Sequence, residues 1–230
     1  MNKRLWIVFA VLVLITLGGL IFWKKTESSQ SAVDTSSLDG SVLLTTEMVG
    51  DNQIPDHYQG NKDSKVIVIA YEDFACSHCN SFSDTAKEIH EDYADDVLFI
   101  YRNFSLSYPN STISQSAAEA AYLVGGVDAY WSMHYSLFSD TVWTSTAVSA
   151  QDRKTLLTEY ANEAGINVDD FFSAIDDYAN NGIQAKMNRD KSLGNSAGVT
   201  GTPTWYVNGE VINAITETNV RNAIDAALSE

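Results

Sequence analysis

The chain has only two cysteines, Cys76 and Cys79, in the tetrad Cys-Ser-His-Cys where an apolar run meets a helical pattern. A thiol at the start of a helix faces unpaired backbone N–H groups and the positive end of the helix dipole, which favour the thiolate. A cysteine three residues later lies one turn away and can close a disulfide with the first. The pair therefore predicts a redox centre between a strand and a helix.

The residues around the pair predict a β-α-β unit. Residues 66–71 are a nearly continuous β-branched run, typical of a strand buried on both faces, and residues 97–101 (VLFIY) predict a second such strand. Between them, one helix face is formed by Phe82, Ala86, Ile89 and Tyr93. This order places the cysteines at the carboxyl end of the first strand, in a right-handed crossover.

A mostly helical block follows, from residue 114 to about residue 197. A small-residue helix face at positions 117–124 ends at Gly125–Gly126, and further helices are predicted at 130–138, 153–164, 169–178 and 184–197. The pattern then returns to strand at residues 204–207, with Asn208–Gly209 as a hairpin turn before residues 211–212. A closing helix carries apolar residues on one side, namely Val220, Ile224, Ala227 and Leu228.

The composition fits one well-packed domain, because 45% of the 230 residues are hydrophobic. The formal net charge of −16 leaves no basic stripe to neutralise phosphates, so it argues against nucleic-acid binding. There is no obvious dimerisation segment, and a monomer is the default expectation.

Residues 5–23 are uncharged and long enough to cross a bilayer, which needs roughly 20 residues. We interpret residues 1–25 as a cytoplasmic stub and an uncleaved transmembrane signal anchor; a cleaved signal peptide is the alternative. Residues 26–41 then form a flexible linker, and residues 42–230 form the globular domain. All 30 acidic residues follow the apolar run, and a close cysteine pair suits an oxidising compartment, so the domain is expected outside the cytoplasm at the cell membrane.

Three motifs occur in a characteristic order: YEDFACSHC at 71–79, AYWSMHYSLF at 129–138 and GVTGTPTWYVNG at 198–209. With the element order described above, they resemble the DsbA family of thiol–disulfide oxidoreductases from about residue 62 to the C-terminus. The resemblance implies an α/β thioredoxin fold with an inserted all-helical subdomain at about residues 112–197. It also implies thiol–disulfide exchange outside the cytoplasm.

The resemblance assigns roles within the tetrad. Cys76 is the nucleophile, expected to be partly exposed and acidic, and Cys79 is the resolving thiol. His78 can donate a hydrogen bond or a charge toward the Cys76 sulfur, which would stabilise the reduced thiolate and make the disulfide more oxidising. Ser77 stands where proline is often found, and it leaves an extra backbone N–H donor.

Two further sites follow from the resemblance. Thr202 and Pro203 match the cis-proline loop that faces the cysteines, where the Thr202 backbone would pair with an extended substrate and its side chain would tune the Cys76 sulfur. A strand-start proline is the alternative. Glu72 is a candidate proton relay for Cys79, in place of an acid that usually lies two residues earlier, where this chain has Ala70. A solvated acid, or an acid at the N-terminus of the helix that interacts favourably with its dipole, is the alternative.

The alternative interpretations of the Cys-x-x-Cys motif are a zinc site and a purely structural disulfide. No second ligand pair occurs at zinc-finger spacing, so we expect no metal, and a disulfide across so short a loop would constrain the unfolded chain little. In the AYWSMHYSLF motif, aromatic residues are more often core than contact, although Trp131 or His134 could edge a substrate groove.

The sequence therefore predicts an extracytoplasmic dithiol oxidase that forms disulfides in reduced or unfolded exported proteins. The cysteine pair carries the electrons, so no dissolved cofactor is expected. A membrane reoxidant of the DsbB or vitamin K epoxide reductase-like type is implied by the resemblance. A reductase or isomerase, and a non-catalytic binding module or chaperone, are the alternatives.

Overall fold

Five strands form one mixed sheet in the computed structural model, which describes residues 42–50 and 53–230. The strands are β1 (His57–Gly60), β2 (Val66–Glu72), β3 (Val97–Asn103), β4 (Thr204–Val207) and β5 (Glu210–Val211). Their order across the sheet is β1-β3-β2-β4-β5, with β2 and β3 parallel and the other neighbours antiparallel. The predicted α/β class with a central buried strand is confirmed.

Seven helices accompany the sheet within the described ranges. They are α1 (Thr46–Val49), α2 (Ser77–Asp92), α3 (Ser111–Ser139), α4 (Ala150–Glu163), α5 (Val168–Asp176), α6 (Ile183–Ser196) and α7 (Glu217–Leu228), with a 3-10 turn at Thr141–Thr144. Four of them, α3 to α6, lie between β3 and β4, where the sequence predicts the helical insertion. The long helix α3 is interrupted at Gly126, which has φ 78° and ψ −165°, at the predicted Gly-Gly break.

The central strand β2 is apolar from Val66 to Ala70, as expected for a strand with both faces covered. Val68 and Ala70 belong to a core cluster that includes the buried Ile89 of α2 and Ile224 of α7. Alternate residues, such as Ile69, point into a second cluster on the opposite face. Packing on both faces of the sheet therefore fixes the position of the end of β2 and of the cysteines that follow it.

Two strand predictions differ from the structure. Strand β1 was not predicted because its sequence, HYQG, has no apolar alternation. Its first residue, His57, is nevertheless buried, and its Nε2 forms a 2.7 Å hydrogen bond with Glu119 Oε2. Gly60 ends β1 at φ 82°, where an added Cβ would lie 2.2 Å from the Val97 carbonyl oxygen. Strand β5 begins one residue earlier than predicted.

The predicted membrane anchor at residues 5–23, within the stub and anchor segment 1–25, lies outside the described residues, as does the predicted linker at 26–41. Across positions 42–50 and 53–230, none of the helices combines the length and apolar character that spanning a bilayer requires.

Candidate active site

The first cysteine sits where β2 turns into α2. Cys76 is the N-cap residue of α2, with φ −87° and ψ 121°, so it meets the unpaired N–H groups of the first helical turn. Asp73 shapes this turn: its carboxylate accepts a 2.9 Å hydrogen bond from Ala75 N, and its carbonyl oxygen accepts one of 2.9 Å from Cys76 N. The predicted placement of the cysteine pair at the carboxyl end of the strand is confirmed.

The surroundings of Cys76 favour its thiolate. Hydrogen bonds from the Cys79 side chain, the Thr202 side chain and the backbone N–H groups of Cys79 and His78 lower the pKa of Cys76 to about 5, against the opposing effect of burial. A thiol with this pKa is mostly ionised at neutral pH, which makes it both a nucleophile and a good leaving group.

The expectation that Cys76 is partly exposed was wrong, because only 2% of the residue is accessible. It belongs to an apolar cluster with Phe74 and Phe138, and the Thr202 carbonyl oxygen lies 3.4 Å from its Sγ, in position to accept a hydrogen bond from the thiol. The helical block and the loop before β4 thus cover the sulfur from two sides.

Cys79 has the opposite character. It is 1% exposed, and burial, the hydrogen bond to Cys76 and the charge of Glu72 raise its pKa well above the usual value. Both cysteines are free thiols in this structure. One sulfur therefore ionises easily and the other holds its proton, which is the asymmetry that thiol–disulfide exchange through a mixed disulfide requires.

The loop before β4 faces the pair as predicted. The Thr202–Pro203 peptide bond is cis. The Thr202 Oγ1 atom is buried, and no other group among the described residues takes its hydrogen bond, so its hydroxyl is free to donate to the Cys76 sulfur when that is ionised. A groove of about 570 Å³ runs beside this loop, lined by residues that include His78, Phe82, Pro203 and Val211.

His78 and Ser77 are both exposed at the start of α2. The imidazole of His78 makes no hydrogen bond within residues 42–50 and 53–230; its backbone N–H stabilises the thiolate instead. The proposed role of its ring stays a prediction. The largest hydrogen-bond contributions to the lowered Cys76 pKa come from Cys79, Thr202 and His78, and the role of Ser77 stays a prediction.

Glu72, the candidate relay, is buried beneath the cysteines with 6% of its surface exposed. The indole Nε1 of Trp205 donates a 2.6 Å hydrogen bond to Glu72 Oε1. Burial, together with the Cys76 charge, raises the pKa of Glu72 to about 7 against the effect of Trp205. The alternative of a solvated acid was therefore wrong, and the carboxyl titrates in the range where a proton relay works.

Asp73 is the site residue whose importance the sequence did not reveal. It is fully buried, and its Oδ2 accepts hydrogen bonds of 3.0 Å from Leu106 N and 2.6 Å from Ser111 Oγ. It thus joins the cysteine turn to the first residue of α3. Its only sequence signal is its position three residues before Cys76.

The aromatic motif of α3 lies in the core, as expected. Trp131, His134 and Phe138 are all buried, and none of them lines the groove beside Pro203. The alternative, that Trp131 or His134 edges the substrate groove, stays a prediction; Trp131 lines a different groove, of about 640 Å³, along β1. No group of three or more His, Cys, Asp or Glu side chains that could hold a metal ion occurs in the parts of the chain that the structure describes.

Sequence comparison places this geometry in a family. Residues 52–226 match the family model described as Thioredoxin. The chain belongs to the thioredoxin family. The predicted thioredoxin-like fold is thereby confirmed, and the fold matches solved structures at 22–23% sequence identity.

Two such structures illustrate the match. Oxidised BdbD from Bacillus subtilis is 22% identical, with a TM-score of 0.67 over 83% of this chain and 98% of that one. The thiol-disulfide exchange protein alpha-DsbA2 from Wolbachia pipientis is 23% identical, with a TM-score of 0.63 over 86% of this chain and 99% of that one. The chain thus shares its fold with these two proteins.

The chain spans about a quarter of the length of the curated relatives it matches. One of them, the Na(+)/H(+) antiporter NhaA 1 of Mycolicibacterium gilvum, is 26% identical over 160 residues, which are 67% of this chain and 24% of the antiporter.

Proposed function

We propose that this thioredoxin-family chain is a thiol–disulfide oxidoreductase that oxidises dithiols in exported proteins. The single observation that carries the proposal is the pair of opposed thiols, with the pKa of Cys76 lowered to about 5 and that of Cys79 raised. A cysteine whose thiolate is this stable is a good leaving group, so its disulfide is readily broken by a substrate thiolate.

The reaction balances on the two sulfurs. A substrate thiolate attacks Cys76 Sγ of the Cys76–Cys79 disulfide, and Cys79 leaves as a thiolate that takes up a proton. A second substrate thiolate then attacks the substrate sulfur of the mixed disulfide, and Cys76 leaves as a thiolate. The substrate loses two electrons and gains a disulfide, while the enzyme becomes a dithiol.

The rest of the cycle is part of the same proposal. The groove beside Pro203 receives an extended substrate segment, which pairs with the Thr202 backbone. A membrane protein of the DsbB or vitamin K epoxide reductase-like type takes the electrons from the dithiol. The apolar run at residues 5–23 anchors the domain on the outer side of the cell membrane.

The test is the equilibrium reduction potential of the purified domain against glutathione, together with oxidative refolding of a reduced substrate. We expect a potential more oxidising than the glutathione couple, refolding activity that Cys76→Ser abolishes, and a trapped mixed disulfide with Cys79→Ser. A potential near that of thioredoxin would favour a reductase. Unchanged refolding with both cysteines replaced would identify a binding module or chaperone.

The topology has its own test. Protease added to intact cells is expected to cleave the domain, and protection of the domain under conditions that digest a known external protein would contradict the proposed location.

A further inference from the structure

A groove of about 500 Å³ lies in the helical insertion, between α3, α4 and α5. We call it the insertion groove. Its apolar lining includes Ile113 of α3, Leu157 of α4 and Phe172 of α5. The volume is within the range of ligand-binding pockets, roughly 300–1,000 Å³. It shares no lining residue with the groove beside Pro203, so it is a separate surface.

Two neighbouring cations of α4, Arg153 and Lys154, line the insertion groove. In the part of the chain that the structure describes, no carboxylate lies within ion-pair distance of either side chain. This matters because the chain has 30 acidic residues against 14 basic ones. In so acidic a protein, two adjacent cations without a carboxylate partner form a place that attracts an external anion.

Neutral hydrogen-bond acceptors hold the Arg153 side chain. Its Nη1 donates hydrogen bonds of 3.2 Å to Asn110 Oδ1 and 2.9 Å to the Val148 carbonyl oxygen. The Asn110 amide is itself fixed, because its Nδ2 donates bonds of 2.9 and 2.8 Å to the carbonyl oxygens of Trp143 and Ser145. These bonds occupy one nitrogen of the planar guanidinium. Its other N–H groups make no hydrogen bond within residues 42–50 and 53–230, so they remain available to a carboxylate.

Lys154 is positioned by an aromatic ring. Its Nζ lies over the face of Phe172, 5.4 Å from the ring centroid. The two cations therefore stand beside an apolar surface, and a ligand that fits both features has a carboxylate next to an aliphatic or aromatic side chain. Asp176 is the one acid among the residues that line the groove. It repels an anion at the α5 end, so the negative charge of the ligand is directed to α4.

The insertion groove begins next to the cysteine turn. Ser111, the first residue of α3, donates a 2.6 Å hydrogen bond to the Asp73 carboxylate, which shapes the turn before Cys76. Pro109 lines the groove and follows Tyr108, whose pKa is raised by partial burial and by the charge of Cys76. A polypeptide joined to Cys76 thus reaches the groove through a short stretch of its own chain. This closeness favours a substrate segment over an anionic lipid as the occupant.

We propose that the insertion groove docks a segment of the substrate polypeptide that lies outside the residues around the reacting cysteine. The segment is extended and carries a glutamate or aspartate beside a leucine-like or aromatic side chain. Its carboxylate pairs with Arg153 and Lys154, and its apolar side chain packs on Ile113 and Phe172. Exported proteins with such a segment near a cysteine are the preferred substrates. This proposal rests on the function proposed above, because it names the substrate class of that enzyme.

The first test measures binding of a fluorescent peptide without cysteine to the reduced full chain in neutral detergent, by fluorescence anisotropy. The peptide alternates glutamate with leucine and phenylalanine, and its control has glutamine in place of glutamate. Lys154→Glu reverses one charge at an exposed position of the groove. Lys62→Glu makes the same change of net charge at an exposed position between β1 and β2, and is the matched control.

We expect the acidic peptide to bind about tenfold more tightly than the glutamine peptide, because charge-assisted bonds to arginine are stronger than neutral ones. Added salt should weaken its binding. Lys154→Glu should weaken the binding of the acidic peptide by about fivefold or more, and Lys62→Glu should change it by less than about twofold.

The second test follows oxidation of two dithiol peptides by the disulfide form of the full chain. One peptide carries the acidic segment beyond a glycine–serine spacer, and the other carries the glutamine segment. The acidic segment should lower KM by about tenfold and leave kcat unchanged, because docking is equal in the ground state and the transition state. Lys154→Glu should remove this difference in KM.

Equal affinities for the acidic and glutamine peptides, equal effects of Lys154→Glu and Lys62→Glu, or equal KM values would overturn the proposal. Displacement of the peptide by short-chain phosphatidylglycerol, but not by short-chain phosphatidylcholine, would assign the groove to an anionic lipid and overturn it as well. The binding measurement needs no turnover. Failure of the proposed function would therefore be seen separately, as inactivity toward both dithiol peptides.

Discussion

Glu72 and Trp205 meet across the β2–β4 pair, where the indole Nε1 donates a 2.6 Å hydrogen bond to the carboxylate oxygen Oε1 beneath the two cysteines. In the part of the chain that the structure describes, no Lys or Arg charge acts on this carboxyl; its pKa is set by burial, by Trp205 and by the Cys76 thiolate. An aromatic N–H thus holds a buried acid in place without fixing it in the ionised state.

Trp205→Phe should raise the pKa of Glu72 further above about 7. The substitution keeps an aromatic ring in the core but removes the N–H that stabilises the carboxylate. A hydrogen bond to a charged group contributes about 1.5–3 kcal/mol, which corresponds to about a ten- to hundredfold change in the ionisation constant. An infrared titration of the Glu72 carboxyl measures this change in its pKa. Tyr206→Phe on the same strand removes a hydroxyl that donates to the Ala197 carbonyl oxygen, and should leave the pKa unchanged. Equal titrations of the two variants would contradict this account.

Glu72→Gln should make the reduced protein relatively more stable as the pH rises. The folded pKa of about 7 lies above the unfolded value of 4.5, so the stabilisation from the protonated carboxyl is complete below about pH 4.5 and is lost as the pH rises through 7. Glutamine does not titrate, so the difference in unfolding free energy between variant and wild type should grow by about 3 kcal/mol between about pH 4.5 and pH 8.

Urea unfolding across this pH range measures the difference, with Glu88→Gln, at an exposed position of α2, as the control. A pH-independent difference for Glu72→Gln would show that the carboxyl is already ionised in the folded protein.

Thr202→Val should raise the pKa of Cys76 above about 5, because the Thr202 hydroxyl hydrogen-bonds the thiolate. We expect an about tenfold smaller ionisation constant, which corresponds to the loss of one ordinary hydrogen bond. Thr202→Ser keeps the hydroxyl and should titrate like the wild type. The measurement is thiolate absorbance against pH. Identical titration curves for Thr202→Val and Thr202→Ser would show that the Thr202 hydroxyl does not stabilise the thiolate.

Lys186→Met should destabilise the fold away from the site. Lys186 is fully buried, paired with Asp190 and 3.8 Å from Asp56 Oδ1. Its removal leaves these carboxylates short of a buried positive charge, which typically costs 3–5 kcal/mol. Urea unfolding at neutral pH measures the loss. Lys65→Met, at an exposed position, should change stability by no more than about 0.5 kcal/mol, and a similarly small effect for Lys186→Met would contradict the prediction.

The sequence predicted features that depend on neighbouring residues. Cys76 at the start of α2 and the hairpin at Asn208–Gly209 follow from local patterns, and the cis bond before Pro203 followed from the family resemblance. Features that depend on distant contacts were not predictable. The buried carboxylate of Asp73 has its hydrogen-bond partners, Leu106 and Ser111, 33 and 38 residues away, and no local sequence pattern predicts them.

Burial of Cys76 is also a long-range effect. The sulfur is covered by Thr202, 126 residues away, and by aromatic residues of the helical block, so a pattern around the tetrad could not show its 2% exposure. The 640 Å³ groove along β1 likewise combines residues of α2 and α3, because Trp131 and Tyr135 line it together with His90.

The pKa of Cys76 in the reduced protein tests the central claim most directly. It is measured by thiolate absorbance between about pH 3 and pH 10, with Cys76→Ser subtracted to assign the signal, and checked by the pH dependence of alkylation with iodoacetamide. The account predicts a midpoint at about 5. A midpoint near the ordinary thiol value of 9.0 would contradict it.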